Sequence, residues 1–156
     1  MLRSFLIGLV AGQRGLTPLA VTAAGARRGT LPAHPPLGRL IAHPAVAVGT
    51  VALAAAEMAG DKMKSAPDRI VPAGLIVRSI TAAYTGAAMA PRGHRMGGAA
   101  VAVGTALVSS YIGLRMRCAA MRTYGQTKTG FVEDAAVLGA GLAVALSGGS
   151  REVTNA

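Results

Sequence analysis

Charged and aromatic residues are scarce in this chain. Only 14% of its 156 residues are charged, the aromatics are two Phe and three Tyr with no Trp, and Cys118 is the single cysteine. One cysteine excludes an internal disulfide, and so little charge is unlike an ordinary soluble domain. Without large aromatics, helix contacts depend on Gly and Ala, which let backbones approach closely in lipid. These scarcities favour the membrane class of proteins.

Apolar residues make up 52% of the chain and fall into five runs separated by polar loops. Because a spanning helix needs roughly 20 mostly apolar residues, we predict an all-α transmembrane bundle of about five spans. It forms one domain, residues 1–149, followed by a polar tail at 150–156. A cleaved secretory signal is the competing interpretation of the first run, but Arg14 and Pro18 interrupt its apolar region. The predicted spans are 2–26, 44–58, 70–90, 97–114 and 131–146.

Arg14 lies near the middle of the first predicted span. A guanidinium at membrane depth is costly, so an intramembrane charge indicates a functional site or a buried ion pair. Pro18 removes a backbone donor and Thr17 favours a helix N-cap. We therefore predict two half-helices that meet between Arg14 and Thr17, a kind of broken span that lines binding sites in transporters.

Seven charges are expected at a common depth when residues are counted from the ends of the spans. They are three cations and four anions, contributed by all five spans. In one interpretation they are buried ion pairs that hold the bundle in register. In the other, the arginines of the first and third spans face a cavity open to the cytoplasm, where they meet a small anionic or polar solute beside a half-helix N-terminus. The seven are Arg14, Arg78, Arg115, Glu57, Asp61, Glu133 and Asp134.

An internal repeat is indicated by two independent matches. The hexapeptide at 45–50 recurs identically at 100–105, and the Arg14-x-x-Thr17 pattern recurs at Arg78-x-x-Thr81. We predict that spans one and two correspond to spans three and four. Since each unit has two crossings, the repeats would run parallel.

The formal charge of +10 does not indicate nucleic acid, because the basic residues fall between the apolar runs and form no stripe. Basic residues that flank apolar runs are typical of membrane proteins, so we expect the lipid bilayer to be the partner. Counting Lys and Arg by side places the N-terminus weakly in the cytoplasm, and so small a bias also permits an antiparallel homo-oligomer. We expect no enzyme activity, cofactor or metal, since no Ser-His-acid pattern or metal-ligand spacing is present.

The chain resembles an uncharacterised bacterial family of multi-pass inner-membrane proteins, known only as a domain of unknown function. The resemblance is carried by residues 11–19 (AGQRGLTPL), by Glu57 followed by Asp61-Lys62, by Pro67-x-Arg69-x-x-Pro72 with Arg78, and by Glu133-Asp134. The stretch around Met63-Lys64-Ser65 departs from the usual pattern. The resemblance implies an inner-membrane location and no particular activity.

Two functions follow as expectations. The first is a small-solute or ion transporter or channel with a charged intramembrane site formed by the seven charges with Thr17 and Pro18. The alternative is a structural or partner-binding membrane protein in which the same charges are ion pairs only. The contacts of Arg14 and Arg78 discriminate between them, because a transporter needs a hydrated cavity at these side chains.

Overall fold

The computed structural model describes residues 1–32, 35–61 and 71–148, and within these ranges the chain is all-helical with no strand. The predicted tail at 150–156 and most of the loop that carries Lys62 and Lys64 lie outside the described residues. The helices are α1 (Leu2–Gln13), α2 (Thr17–Arg27), α3 (Gly38–Ile41), α4 (Pro44–Gly60), α5 (Pro72–Met89), α6 (Arg95–Tyr124) and α7 (Gln126–Leu146).

The first two helices form a hairpin. The predicted break is confirmed, since α1 ends at Gln13 and α2 begins at Thr17. The Arg3 guanidinium at the start of α1 donates to the carbonyl oxygen of Thr30, just beyond α2, over 3.2 Å. Because these outer ends meet, the chain reverses at the break. The prediction that residues 2–26 make one crossing in a single direction is therefore wrong.

The hairpin defines two ends of the bundle, which we call the Arg3 end and the Arg14 end. Arg3 also donates to the carbonyl of Val144 over 3.1 Å, so α7 finishes at the Arg3 end. Asp61, directly after α4, contacts Arg14 at the opposite end. The helices α1, α2, α4, α5, α6 and α7 thus alternate in direction. The Lys and Arg count that placed the N-terminus in the cytoplasm assumed that Arg3 and Arg27 lie on opposite sides, so it no longer supports that orientation.

The core is built on close contacts of glycine between α1, α5 and α6. A methyl group added at Gly8 would lie 2.6 Å from the carbonyl oxygen of Ala102, and one added at Gly98 would lie 2.7 Å from that of Gly86. Backbones this close leave no room for a larger residue. The predicted reliance on small residues is confirmed at these positions.

The helix α6 is longer than predicted. It continues through Tyr124, and only Gly125, with φ of 81°, separates it from α7. The predicted fourth span ended at 114 and the fifth began at 131, so the basic loop expected between them is wrong. Arg, Met and Ala in this segment are good helix formers, and no glycine or proline interrupts them before Gly125.

Within the described ranges, two helices, α6 and α7, are long and apolar enough to cross a membrane. Only 33% of the most apolar window of each is buried, whereas the core helix of a soluble protein would be mostly buried. Large apolar side chains elsewhere also face outward, among them Leu2, Val48, Leu53, Ile76, Ile80 and Leu138.

The repeat has a partial counterpart in the backbone. An Arg-Gly pair follows both α2 and α5, at Arg28-Gly29 and Arg92-Gly93. Both glycines have a positive φ, 67° at Gly29 and 83° at Gly93. Each pair leads toward the helix that contains the repeated hexapeptide. The repeat itself stays a prediction.

Candidate functional site

Arg14 lies at the turn of the α1–α2 hairpin and is 1% exposed. It follows the last residue of α1 with an extended backbone, φ of −139°, which ends the helix and directs its side chain into the bundle. Its N–H still donates to the carbonyl of Val10 over 2.9 Å. The hairpin therefore places a guanidinium inside the protein.

Two carboxylates from other helices meet this guanidinium. Its Nη1 contacts Asp61 Oδ2 at the end of α4. Its Nη2 lies 2.5 Å from Asp134 Oδ1 in α7, and Asp134 is itself buried. A buried charge is tolerated only when it is paired, and here three helices are joined by one cation.

A second arginine, Arg117 of α6, shares one of these carboxylates. Its Nη1 lies 2.5 Å from Asp61 Oδ2 and 3.1 Å from Glu133 Oε2. Its Nη2 donates to the backbone carbonyl of Asp61 over 3.1 Å, which places a cation at the C-terminal end of α4. We call Arg14, Asp61, Arg117, Glu133 and Asp134 the charge cluster.

The prediction that Arg115 joins this cluster is wrong. Arg115 is exposed, whereas Arg117 is 8% exposed. Because α6 continues through this segment, its face is set by helical spacing, and Ser110, Gly113 and Arg117 follow one another on the buried side. Arg115 is two residues away and points to the opposite side. Extending that spacing from the small residues of the fourth span would have identified Arg117.

Glu57 holds the hairpin turn itself. Its Oε1 accepts from the N–H of Gly15 over 2.7 Å and its Oε2 from the N–H of Leu16 over 2.8 Å. Neither N–H has an acceptor within the helix, because both lie at the start of α2, where an anion is favoured. The predicted N-cap role of Thr17 is wrong, because Leu16 occupies that position and the carboxylate of Glu57 satisfies the donors. Pro18 lies in the first turn of α2, where its missing N–H costs nothing.

Two carbonyls in the last turns of α1 accept from side chains of α6. The hydroxyl of Ser110 donates to the carbonyl of Gly12 over 3.0 Å, and that of Ser109 to Leu9 over 3.3 Å. Irregular backbone at membrane depth is tolerated only where it is buried in protein and its polar groups are paired. The turn is buried, and the backbone groups of Gly12, Gly15 and Leu16 are paired, although the hydroxyl of Thr17 has no hydrogen-bond partner among the described residues.

Arg78 is 7% exposed and lies beside the same turn. A methyl group added at Gly15 would lie 3.4 Å from both Arg78 Cγ and Glu57 Oε1. The structure thus brings together seven charged side chains at the Arg14 end, with Arg117 in the place predicted for Arg115. They are Arg14, Glu57, Asp61, Arg78, Arg117, Glu133 and Asp134.

Six of the seven predicted charges therefore face the interior of the bundle at this end, and Arg117 is the seventh side chain that does so. Arg115 lies at the same end of the bundle but on its outer surface. The common position of these charges along the bundle was predictable from residue counting. The face of α6 that they meet was not, because it depended on where that helix ends.

A cleft of about 710 Å³ lies next to the charge cluster, between the last three turns of α6 and the first three of α7. Its walls are almost entirely apolar, with Met116 and Val132 on opposite sides. Arg117 and Glu133 line its inner part, and Lys128 lines its outer part. Arg14, Glu57 and Arg78 are not among its lining residues.

Among the described residues, no group of three or more histidine, cysteine or acidic side chains is arranged to hold a metal ion. The arrangement can neutralise buried charge and fix helix positions. Comparison of the chain with protein-family models, with curated proteins and with solved structures finds no match in any of the three.

Proposed function

We infer that this chain is a multi-pass protein of the bacterial inner membrane, as its resemblance to an uncharacterised inner-membrane family also suggests. The supporting observation is an inverted distribution of polarity. Arg14, Arg78 and Arg117 are buried, whereas large apolar side chains such as Val48 and Ile80 are 69% and 64% exposed. A soluble protein has the opposite arrangement, because lysine and arginine stay in water and large exposed apolar patches are rare.

In this arrangement α4, α5, α6 and α7 cross the bilayer and α1–α2 enters and leaves it at the Arg3 end. The 12 residues of α1 and the 11 of α2 extend only about 18 and 17 Å at the helical rise. Each is shorter than the hydrocarbon core of about 30 Å. The proposal therefore has four crossings, with one hairpin packed against them, in place of the five predicted spans.

The accessibility of single cysteines tests this arrangement. In a Cys118→Ser background, Leu2→Cys and Arg28→Cys should react with a membrane-impermeant maleimide from the same side of sealed vesicles. Gln126→Cys, at the exposed start of α7 at the Arg14 end, should react from the other side. A straight first span would instead place positions 2 and 28 on opposite sides, and that labelling pattern would disprove the hairpin.

The role that the geometry supports best is structural: the charge cluster locks the helices of a membrane protein that acts by binding partners within the bilayer. One observation carries this proposal, the 1% exposure of Arg14 between the carboxylates of Asp61 and Asp134. In a transport site the charges must be accessible to a solute, whereas charges that lock helices together are paired and shielded from water. No cofactor or enzymatic step is part of this proposal.

The matched pair Arg117→Gln and Arg115→Gln tests the lock. Both variants remove one positive charge from the same helix, but only Arg117 contacts Asp61 and Glu133. We expect Arg117→Gln to lower the thermal midpoint and the folded yield in detergent, and Arg115→Gln to leave both near wild type. Breaking one buried pair typically costs about 3–5 kcal/mol.

The same proteins, reconstituted in liposomes, give the second readout. With pH-sensitive and chloride-sensitive dyes inside, wild-type vesicles should show no flux above empty ones. Wild-type stability for Arg117→Gln would refute the lock, and so would a wild-type flux that this variant abolishes while it still folds.

Transport of a small anionic or polar solute is the second candidate. It is favoured by the position of Arg117 and Glu133, which belong to the charge cluster and also line the cleft. A solute in the cleft could exchange with their 3.1 Å ion pair. The apolar walls make this the less supported function, because a polar solute would lose its hydration there.

A further inference from the structure

The cleft between α6 and α7 has a chemistry that the charge cluster does not use. Its walls are formed by residues such as Met116, Ala120, Val132 and Ala136. Met116 and Val132 are 67% and 72% exposed, so the cleft opens sideways onto the outer surface of the bundle. In a bilayer that surface faces acyl chains, so the cleft is open to them.

The outer end of the cleft is basic. Lys128, in the first turn of α7, lines it together with Tyr124 and Thr129, which flank the connection at Gly125. A further exposed cation, Arg122, lies in the last turn of α6. Basic pockets between transmembrane helices attract anionic headgroups, and Tyr is favoured where hydrocarbon meets water.

The inner end of the cleft is electrically balanced. Glu133 is the acidic residue among its lining side chains, and its carboxylate is 3.1 Å from Arg117. The uncompensated charge along the lining is therefore that of Lys128. From Gly113 to Tyr124 the cleft extends about 17 Å along α6 at the helical rise, and its volume lies within the usual range of ligand pockets.

We propose that this cleft binds one anionic phospholipid, with an acyl chain between α6 and α7 and the phosphate at Lys128. The inference rests on the proposed membrane location and adds a ligand class to it. The complementarity is twofold: an apolar interior open to lipid, and a cation with hydroxyl groups at the end where the headgroup region begins.

Native mass spectrometry of the detergent-purified protein tests the proposal with phosphatidylglycerol and phosphatidylcholine as probes. Wild type should retain phosphatidylglycerol in preference to phosphatidylcholine, as one bound copy. Lys128→Gln should reduce this preference about fivefold, the effect expected of one basic residue near a membrane surface. Arg115→Gln removes the same charge outside the cleft and should leave the preference unchanged.

A second pair of variants tests the acyl chain. Ala120→Phe places a ring in the cleft and should remove the bound copy of either lipid, whereas Ala119→Phe, on the exposed side of the same helix, should not. Equal effects of Lys128→Gln and Arg115→Gln would overturn the proposal, and so would equal effects of the two phenylalanines. Conversion of a dimer to a monomer by Ala120→Phe would also overturn it, since a second copy would then occupy the cleft.

The outcome is distinguishable from failure of the membrane proposal. A chain that remains in solution without detergent contradicts membrane insertion itself. A chain that requires detergent and inserts, but binds both lipids equally, contradicts only the lipid site.

Discussion

Replacing Arg14 with alanine is expected to abolish most of the folded protein. The substitution withdraws the cation that Asp134 contacts at 2.5 Å, while Asp61 keeps its contact with Arg117. Removing one partner of a buried ion pair typically costs about 3–5 kcal/mol, because the remaining charge stays in a low-dielectric interior. This is comparable with the total stability of many domains, which is about 5–15 kcal/mol. Thermal unfolding in detergent, followed by circular dichroism, measures the loss.

A double-mutant cycle separates this ion pair from other effects of the substitution. Arg14→Met and Asp134→Asn should each destabilise the protein, and the double variant Arg14→Met/Asp134→Asn should cost less than the sum of these two single changes. Arg115→Ala serves as the control for charge, since that side chain is exposed. Additive costs in the cycle would show that Arg14 and Asp134 do not stabilise each other.

Replacing Gly98 with valine is expected to separate α5 from α6. A methyl group at this position would already lie 2.7 Å from the carbonyl oxygen of Gly86, which is backbone and has no alternative rotamer. Overpacking of this kind typically costs about 1–3 kcal/mol. The thermal midpoint should fall by a margin well above that of any exposed substitution on the same helix.

Gly104 provides the matched control. It also lies in α6, and a methyl group added there would have no neighbour within 4 Å. Both substitutions introduce the same β-branched residue into one helix, so their helix-propensity costs cancel. If Gly98→Val and Gly104→Val lower the midpoint equally, the close approach of α5 and α6 is not required for folding.

The sequence was sufficient to predict the helical class, the break after Gln13 and the meeting of the charges at one end of the bundle. Apolar runs and proline act locally, so their effect does not depend on the rest of the chain. Glu57, Asp61 and Glu133 could be placed at one level because each is counted from the end of a helix.

The direction of α2 could not be predicted. Together, the 12 residues of α1 and the 11 residues of α2 nearly equal the length of one predicted span. The number of residues is therefore the same whether the chain continues or reverses at Arg14. The choice depends on tertiary contacts such as those of Glu57 with Gly15 and Leu16. Such contacts join residues about 40 positions apart and leave no periodic signal.

The end of α6 was also misplaced, for a different reason. Charges were taken to mark a loop, but Arg115 and Arg122 lie on a helix that extends beyond the apolar segment. A charged stretch can remain helical when its residues have high helix propensity. The sequence distinguishes such a helix from a loop only by where glycine or proline first occurs.

The contacts of the α1–α2 turn affect the order in which the parts of the protein can fold. Synthesis proceeds from the N-terminus, so Arg14 leaves the ribosome before Glu57, Ser110 and Asp134, which later neutralise or cap the turn. The α1–α2 hairpin therefore reaches its final state only after α7 has emerged. Until then an arginine and two backbone amides of the nascent chain need a polar environment, either at the membrane surface or within the insertion machinery.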